Sequence, residues 1–275
     1  MRRVEAAGVS IPSIGLGTWR LAGAQCTDIV SRALALGYRH VDTAEMYANE
    51  AEVGAGLKAS GVPRGEVFLT TKVWHDHLEP QAMWAAAEAS LKRLGTDYVD
   101  LYLIHWPNPA VPLELTIDAL CEVRRRGLAR AIGVANFPSA LVDRAAALST
   151  EPLAVNQVEY HPFLSQRAVL EACRAHGMAL TAYCPLAKGA VDQSPVIREI
   201  AEERGLTTAQ VALAWLIGQE GVVAIPKTAT PSRLADNLAA AYLTLTAEER
   251  ARIDALAHPG GRTTSPAFAP DWDEA

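Results

Sequence analysis

The sequence predicts an α/β fold in which eight parallel strands close into a (β/α)8 TIM barrel with its functional site at the C-terminal mouth of the strands. Three observations carry this. Short, β-rich apolar runs recur eight times, at 12–18, 39–43, 67–73, 98–105, 130–135, 154–159, 178–184 and 222–226. Segments with helical spacing of apolar residues lie between them, at 28–36, 81–94, 114–126, 166–176 and 208–218. Strands that alternate with helices pair in parallel through right-handed crossovers, and eight such units are what a closed barrel needs. The rival is an open doubly wound sheet, but its dinucleotide fingerprint fails: Gly15-Leu16-Gly17-Thr18-Trp19-Arg20 puts an arginine where the third glycine belongs.

In a parallel barrel the residues that end each strand face one mouth, so each run is characterised by the polar and aromatic residues at its C-terminal end. The first run ends in Thr18 and Trp19, and the second in Asp42 with Tyr47 in the next loop. Gly61-Val62-Pro63-Arg64-Gly65 sets a short loop before the third run, which ends in Lys72 and Trp74. The fourth ends in His105 and Trp106, the fifth in Asn136, the sixth in Gln157 and Glu159, the seventh in Tyr183 and the eighth in Lys227. No linker divides the chain, so a single domain over 1–275 is expected. The stretch 258–275 is rich in Pro, Gly, Ser and Thr but carries Phe268 and Trp272, and is expected to pack as a loop over the mouth.

Composition narrows the function. Half of the 275 residues are hydrophobic and a fifth charged, which suits a globular protein with a large core. A net charge of -6 offers no broad cationic field, so nucleic acid is not an expected partner. Cys26, Cys121, Cys173 and Cys184 are scattered without CxxC spacing and read as reduced thiols, so neither a disulfide framework nor a zinc knuckle is expected. No apolar stretch is long enough for a signal peptide or a membrane span, so the expected location is the cytoplasm.

The polar mouth suits carbonyl chemistry. A phenol titrates near pH ~10, and a nearby cation lowers that value by favouring phenolate. Tyr47 beside Lys72 is therefore a candidate proton donor, with Asp42 keeping the lysine charged and His105 hydrogen-bonding a substrate oxygen. Each residue alone also has a structural reading: a strand-end cap, a surface lysine, a rim tyrosine, a hydrogen-bonded histidine.

Taken together, the motifs extend the reading. GLGTW at 15–19, DTAEMYANE at 42–50, TKVW at 71–74, DLYLIHWP at 100–107, NQVEYHP at 156–162 and IPKT at 225–228 resemble those of the aldo-keto reductase superfamily, in family order and over nearly the whole chain. Within it the chain is most similar to bacterial 2,5-diketo-D-gluconate reductases of the short form B, which also act on methylglyoxal; the Pro270-Asp271-Trp272-Asp273 ending shares this likeness. The resemblance implies an NADPH-dependent oxidoreductase acting on a small-molecule carbonyl substrate, without metal and as a monomer. It makes Tyr47 the proton donor, tuned by Lys72 and Asp42, with His105 orienting the carbonyl. Asn136 and Gln157 would hold the nicotinamide carboxamide, Tyr183 would stack on its ring, and Gly17, Thr18 and Leu186 would line the cofactor. Lys227, Thr228 and Arg233 match the segment for the 2′-phosphate, and Asn237 the position that reads the adenine. Trp19, Trp74 and Trp106, with His105, would line the substrate pocket. One position departs: the family's Ser-Asn-Phe is Ala135-Asn136-Phe137 here, a loss on the order of 1 kcal/mol that predicts weaker nicotinamide orientation and slower turnover.

Two other classes fit parts of the pattern. His75-Asp76-His77 is an HxH pair that, with His105 and His161, could serve a metal-dependent barrel hydrolase, but it lies beyond the third run rather than on the first. A non-catalytic NADPH-binding regulatory subunit would use the same fold, and the complete tetrad argues against it.

Overall fold

A computed structural model describes residues 2–273; Met1, and the last two residues of the expected mouth loop, Glu274 and Ala275, lie outside the described residues. The chain opens with a hairpin, β1 (Arg3–Ala6) antiparallel to β2 (Val9–Pro12), turned at Ala7 and Gly8 with φ of 47° and 80°. Eight parallel strands come next: β3 (Leu16–Gly17), β4 (His40–Asp42), β5 (Phe68–Val73), β6 (Val99–Ile104), β7 (Ala129–Ala135), β8 (Leu153–Glu159), β9 (Ala179–Tyr183) and β10 (Val222–Ala224). They are hydrogen-bonded in sequence order from β3 to β10.

The first apolar run is the one that differs from expectation. It divides between the end of the hairpin at Pro12, a bridge at Ile14, and the two residues of β3. The division closes the barrel: Ile14 pairs in parallel with Ala224, Gly15 N donates to Ala224 O at 2.9 Å and Gly17 N to Pro226 O at 3.1 Å. The two glycines permit that approach. A Cβ on Gly15 would stand 2.7 Å from His40 Nδ1, and one on Gly17 2.7 Å from Ile225 O.

Helices α1 (Gly23–Ala35), α2 (Glu50–Ser60), α3 (Pro80–Leu94), α4 (Leu113–Arg125), α5 (Ser139–Leu148), α6 (Arg167–Ala175), α7 (Pro195–Arg204), α8 (Thr208–Ile217), α9 (Ser232–Ala239) and α10 (Ala247–Asp254) surround the sheet. Their ends reflect local chemistry. Pro80 opens α3, whose missing N–H costs nothing in the first turn, and Gly95 closes it in the left-handed region. Thr207 with Gln210, and Thr246 with Glu249, form reciprocal capping boxes on α8 and α10. Among the described residues no helix is long and apolar enough to cross a membrane.

Alternation along each strand builds two cores. Leu69, Val73, Tyr102, Ile104, Ile132, Val134, Val158 and Leu180 face the helices. Phe68, Leu101, Leu103, Ala131, Val155, Ala179 and Val223 fill the barrel interior, and Ala6 and Ile11 of the hairpin pack against that interior cluster. The same period of two sends Asp42, Lys72, Gln157, Glu159 and Tyr183 inward, nearer the C-terminal ends of their strands.

Candidate active site

Asp42 ends β4, Lys72 lies one residue before the end of β5, His105 directly follows β6, and Tyr47 ends the short turn Glu45–Tyr47 after β4. Lys72 is fully buried. Its Nζ donates to Asp42 Oδ1 at 2.6 Å and to Thr43 O at 2.8 Å, and lies 3.4 Å from the Tyr47 hydroxyl. The second oxygen of Asp42 accepts from Gln157 Nε2 at 2.7 Å, so the carboxylate is held from two strands. Thr18 Oγ1 donates to the Asp42 carbonyl at 2.9 Å and fixes the backbone there.

The electrostatics of the pair differ from the sequence expectation. Burial lowers the Lys72 pKa against the opposing pull of Asp42. Burial, with the Asp42 carboxylate beside it, holds the Tyr47 phenol well above its ordinary value, instead of Lys72 depressing it. The cause is that Asp42 offsets the lysine charge at close range, which leaves desolvation of the phenolate as the dominant effect. Burial, with Lys72 and His75, holds His105 well below its usual value, so its imidazole is neutral near pH 7, and its Nδ1 is sealed from solvent with no hydrogen-bond partner.

Aromatic rings wall this centre. Trp19 lies 4.8 Å from the Tyr47 ring, centroid to centroid, Trp74 lies 5.2 Å from His105, and Tyr47 lies 5.6 Å from His105. Trp106 is buried, Trp74 half-buried and Trp19 exposed. Phe268 meets Trp74 and Trp106 edge-on at 5.8 and 5.6 Å and stacks on His75 at 4.3 Å.

The residues matched to the cofactor fall in two groups. Asn136, Gln157 and Tyr183 stand with the tetrad and are engaged with one another. Asn136 Nδ2 donates to His105 O and its Oδ1 accepts from Tyr183 Oη, each at 2.8 Å, while its backbone N–H donates to Gln157 O at 2.9 Å. Asn136 thereby ties the ends of β6, β7, β8 and β9 together from a left-handed backbone with φ of 62°. Ala135, buried beside it, leaves no hydroxyl at that end of β7. Gly17 and Thr18 border Asp42 from β3, and Leu186 follows β9. The second group lies beyond β10: exposed Lys227, buried Thr228 with its hydroxyl in a turn with Thr230, exposed Arg233 in the first turn of α9, and buried Asn237 on that helix.

The HxH histidines part company. His75 lies against Trp74 and Phe268, whereas His77 pairs with Glu45 at 2.8 Å, and His161 is at hydrogen-bond distance, 3.2 Å, from Glu159. No cluster of three or more metal-capable side chains converges among the described residues.

Several residues at the mouth carried no assignment from sequence. Glu45, two residues before Tyr47, accepts from Trp74 N at 3.0 Å as well as pairing with His77, and so clamps the loop after β5 to the tyrosine's turn. Buried Glu159 accepts from Thr263 N at 3.0 Å, from the Thr263 hydroxyl and from Thr264 N at 2.9 Å; against the opposing effect of burial, its hydrogen bonds with His161 and Thr263 hold its pKa below the carboxylate norm. At the other end of the same arm Asp273 accepts from Ser139 N at 2.9 Å and from its hydroxyl. The inward phase of β8 pointed to Glu159; nothing local pointed to its partners.

Similarity to known proteins extends over nearly the whole chain. The aldo/keto reductase family model matches residues 13–258. Methylglyoxal reductase DkgB of Salmonella typhi is 44% identical over 269 residues, covering 96% of this chain and 100% of its own. A crystal structure provisionally assigned as a 2,5-diketo-D-gluconic acid reductase B superposes with a TM-score of 0.97 at 48% identity, covering 99% and 98% of the two chains. The Bombyx mori aldo-keto reductase, solved in complex with NADP, has a TM-score of 0.90 at 31% identity, with 99% and 98% covered. A parallel barrel with these side chains at its mouth, matched over nearly its full length in sequence and in structure, belongs to the aldo/keto reductase family.

Proposed function

We propose that this chain reduces small aldehydes and ketones to alcohols with NADPH, Tyr47 delivering the proton. The observation that carries the reading is the fully buried Lys72–Asp42 pair 3.4 Å from the Tyr47 hydroxyl. A buried ion pair is a weak source of stability, and one aimed at a phenol beside a neutral histidine has a chemical use.

The residues present fit a phosphorylated dinucleotide. Lys227 and Arg233 are exposed, form no ion pair among the described residues, and flank a buried threonine hydroxyl, a donor set suited to a phosphate. The half-buried Tyr183 ring offers a stacking face at the mouth, and Asn136 and Gln157 are amides that can exchange their internal hydrogen bonds for a carboxamide. When bound, the dinucleotide supplies a hydride to the carbonyl carbon.

The chain's own side chains do the rest. The raised phenol pKa keeps the proton on Tyr47 Oη until it is needed. An alkoxide is a stronger base than a phenolate, so the proton moves to the substrate oxygen as negative charge builds there. Lys72 Nζ then faces the phenolate left behind, and Asp42 and Thr43 O keep the ammonium in place. Neutral His105 offers an N–H to the same substrate oxygen, and Trp19, Trp74 and Trp106 exclude water and favour compact, partly apolar carbonyls. The names of the relatives make methylglyoxal and 2,5-diketo-D-gluconate the first substrates to try.

The test is NADPH oxidation followed by absorbance with those two compounds and an aromatic aldehyde. Turnover that collapses in Tyr47→Phe while NADPH still binds supports the reading. NADPH binding without turnover of any carbonyl would move the protein to the regulatory class, and absence of binding would overturn the proposal.

A further inference from the structure

Strand β4 pairs with β5 only as far as Asp42 with Thr70, and Thr43 N, donating to Thr70 O at 2.9 Å, makes the last backbone hydrogen bond between them among the described residues. β5 runs on to Val73 against β6, so beyond Thr43 the two strand ends separate. One leads to the turn that ends in Tyr47, the other to Trp74 and the turn His75–His77. The Tyr47 turn is closed on itself, with Tyr47 N donating to Ala44 O at 3.0 Å and Ala48 N to Glu45 O at 3.1 Å. Toward β3 it is anchored by buried Asn49, whose Nδ2 donates to Thr18 O and Leu21 O, each at 2.9 Å. Toward β5 the anchor is Glu45. One of its carboxylate oxygens accepts from Trp74 N at 3.0 Å and the other pairs with His77 Nδ1 at 2.8 Å. The far side of the same segment is held by Asn108, whose Nδ2 donates to His75 O at 2.9 Å.

Glu45 therefore couples the residue matched to the proton donor to a wall of the pocket. Tyr47 and Trp74 both stand edge-on to His105, with ring centroids at 5.6 and 5.2 Å, so the spacing of these three rings frames the place of a substrate oxygen. We propose that Glu45 is a positioning residue: by spanning the gap between the two strand ends it fixes the Tyr47 hydroxyl relative to Trp74 and His105. It acts through those groups and not on the reacting atoms, so it governs the transfer step more than binding. The inference rests on the carbonyl-reductase reading and names a further residue of that same site. Reach is what the role requires, because the carboxylate must meet a backbone N–H and an imidazole at once, through charge-assisted bonds that tolerate little displacement. Misplacing a reacting group by about 1 Å can cost on the order of 10²-fold in rate. Tyr47 keeps its own link to Lys72 at 3.4 Å, so release of Glu45 costs less than that.

The test separates reach from charge. Glu45→Gln keeps the length and an oxygen to accept from Trp74 N but loses the charge, Glu45→Asp keeps the charge but falls one methylene short, and Glu45→Ala loses both. The substrate is whichever of methylglyoxal, 2,5-diketo-D-gluconate and an aromatic aldehyde the wild type reduces fastest. Hydride transfer is read in a single turnover from NADPH absorbance at saturating carbonyl, beside KM, NADPH affinity and the unfolding midpoint. Glu45→Ala and Glu45→Asp are expected to slow transfer about tenfold and Glu45→Gln less than about threefold, with KM and NADPH affinity within about threefold of wild type in every variant. An unchanged rate in Glu45→Ala overturns the inference. So does wild-type transfer in Glu45→Asp with Glu45→Gln as slow as Glu45→Ala, which assigns the effect to charge. A joint loss of rate, KM and unfolding midpoint in every variant also overturns it, as a purely structural role. Should Glu45→Ala not fold, the contrast between Glu45→Gln and Glu45→Asp decides alone. Failure of the wild type to reduce any of the three carbonyls overturns instead the reading on which the inference rests.

Discussion

At the floor of the barrel Phe68, Leu101, Ala131 and Val223 cluster with Ala6 and Ile11 of the hairpin, while toward the C-terminal ends of the strands stand Lys72, His105, Gln157 and Tyr183. The floor has one polar residue of note, His40, which reaches Pro12 O at 3.4 Å and Thr70 Oγ1 at 3.3 Å and is kept neutral by burial, its pKa lowered to about 4. The mouth concentrates the awkward features. Apart from Ala7 in the hairpin turn, the non-glycine residues with left-handed backbones among the described residues are Arg20, Ala48, Asn136, Cys184, Ala187 and Lys188, all in segments that follow strand ends. Each such residue costs of order 1–3 kcal/mol, and the apolar floor and helix layer offset that cost. One period-two strand can thus carry stability at one end and chemistry at the other.

The sharpest test of this division is Tyr47→Phe. Loss of the proton donor is expected to lower kcat by about 10²–10⁴-fold with the denaturation midpoint nearly unchanged. A large stability loss with modest kinetic effect would show that the mouth also holds the fold. The mirror experiment is Leu101→Ala nearer the floor, where a cavity in the interior should cost about 2–5 kcal/mol in denaturant unfolding and leave kcat/KM of the folded enzyme close to wild type.

Acid should act on the floor as well. Above pH ~6.5 His40 is neutral folded and unfolded, so its effect is absent. Between that value and about 4 the unfolded chain takes up a proton that the buried ring refuses, so stability falls with pH across this window by up to about 3 kcal/mol. His105, also depressed, adds to the same slope. Unfolding midpoints from pH 7 to 4 should fall less steeply in His40→Gln, and identical slopes would remove His40 from the account. The smallest effect belongs to the mouth again: Ala135→Ser is expected to restore about 1 kcal/mol, roughly a fivefold tightening of NADPH binding. Unchanged affinity and rate would mean that Ala135 costs this protein nothing.

The helices read from apolar spacing at 81–94, 114–126 and 166–176 match α3, α4 and α6 within a residue at each end, because a buried stripe on a helix is written every three to four positions. The first run was less legible. Ser13 to Gly17 act as the closing seam, and the demand for glycine there comes from His40 and Ile225, which the local sequence does not display. Helices α2 and α10 carry weak apolar stripes, so apolar spacing did not mark them.

By itself the sequence determined the barrel, the order of its strands and which side chains end them, since these arise from periodicities and motifs carried by short stretches. Only the tertiary structure decided that Tyr47 holds its proton more tightly than a free phenol, that Asn136 and Gln157 are hydrogen-bonded within the protein, that Glu159 pins the C-terminal arm and that Arg262 Nη1 finds no acceptor among the described residues. These depend on desolvation and on charges brought together from residues as far apart as 42, 72, 159 and 262, and no local pattern encodes the distance between them.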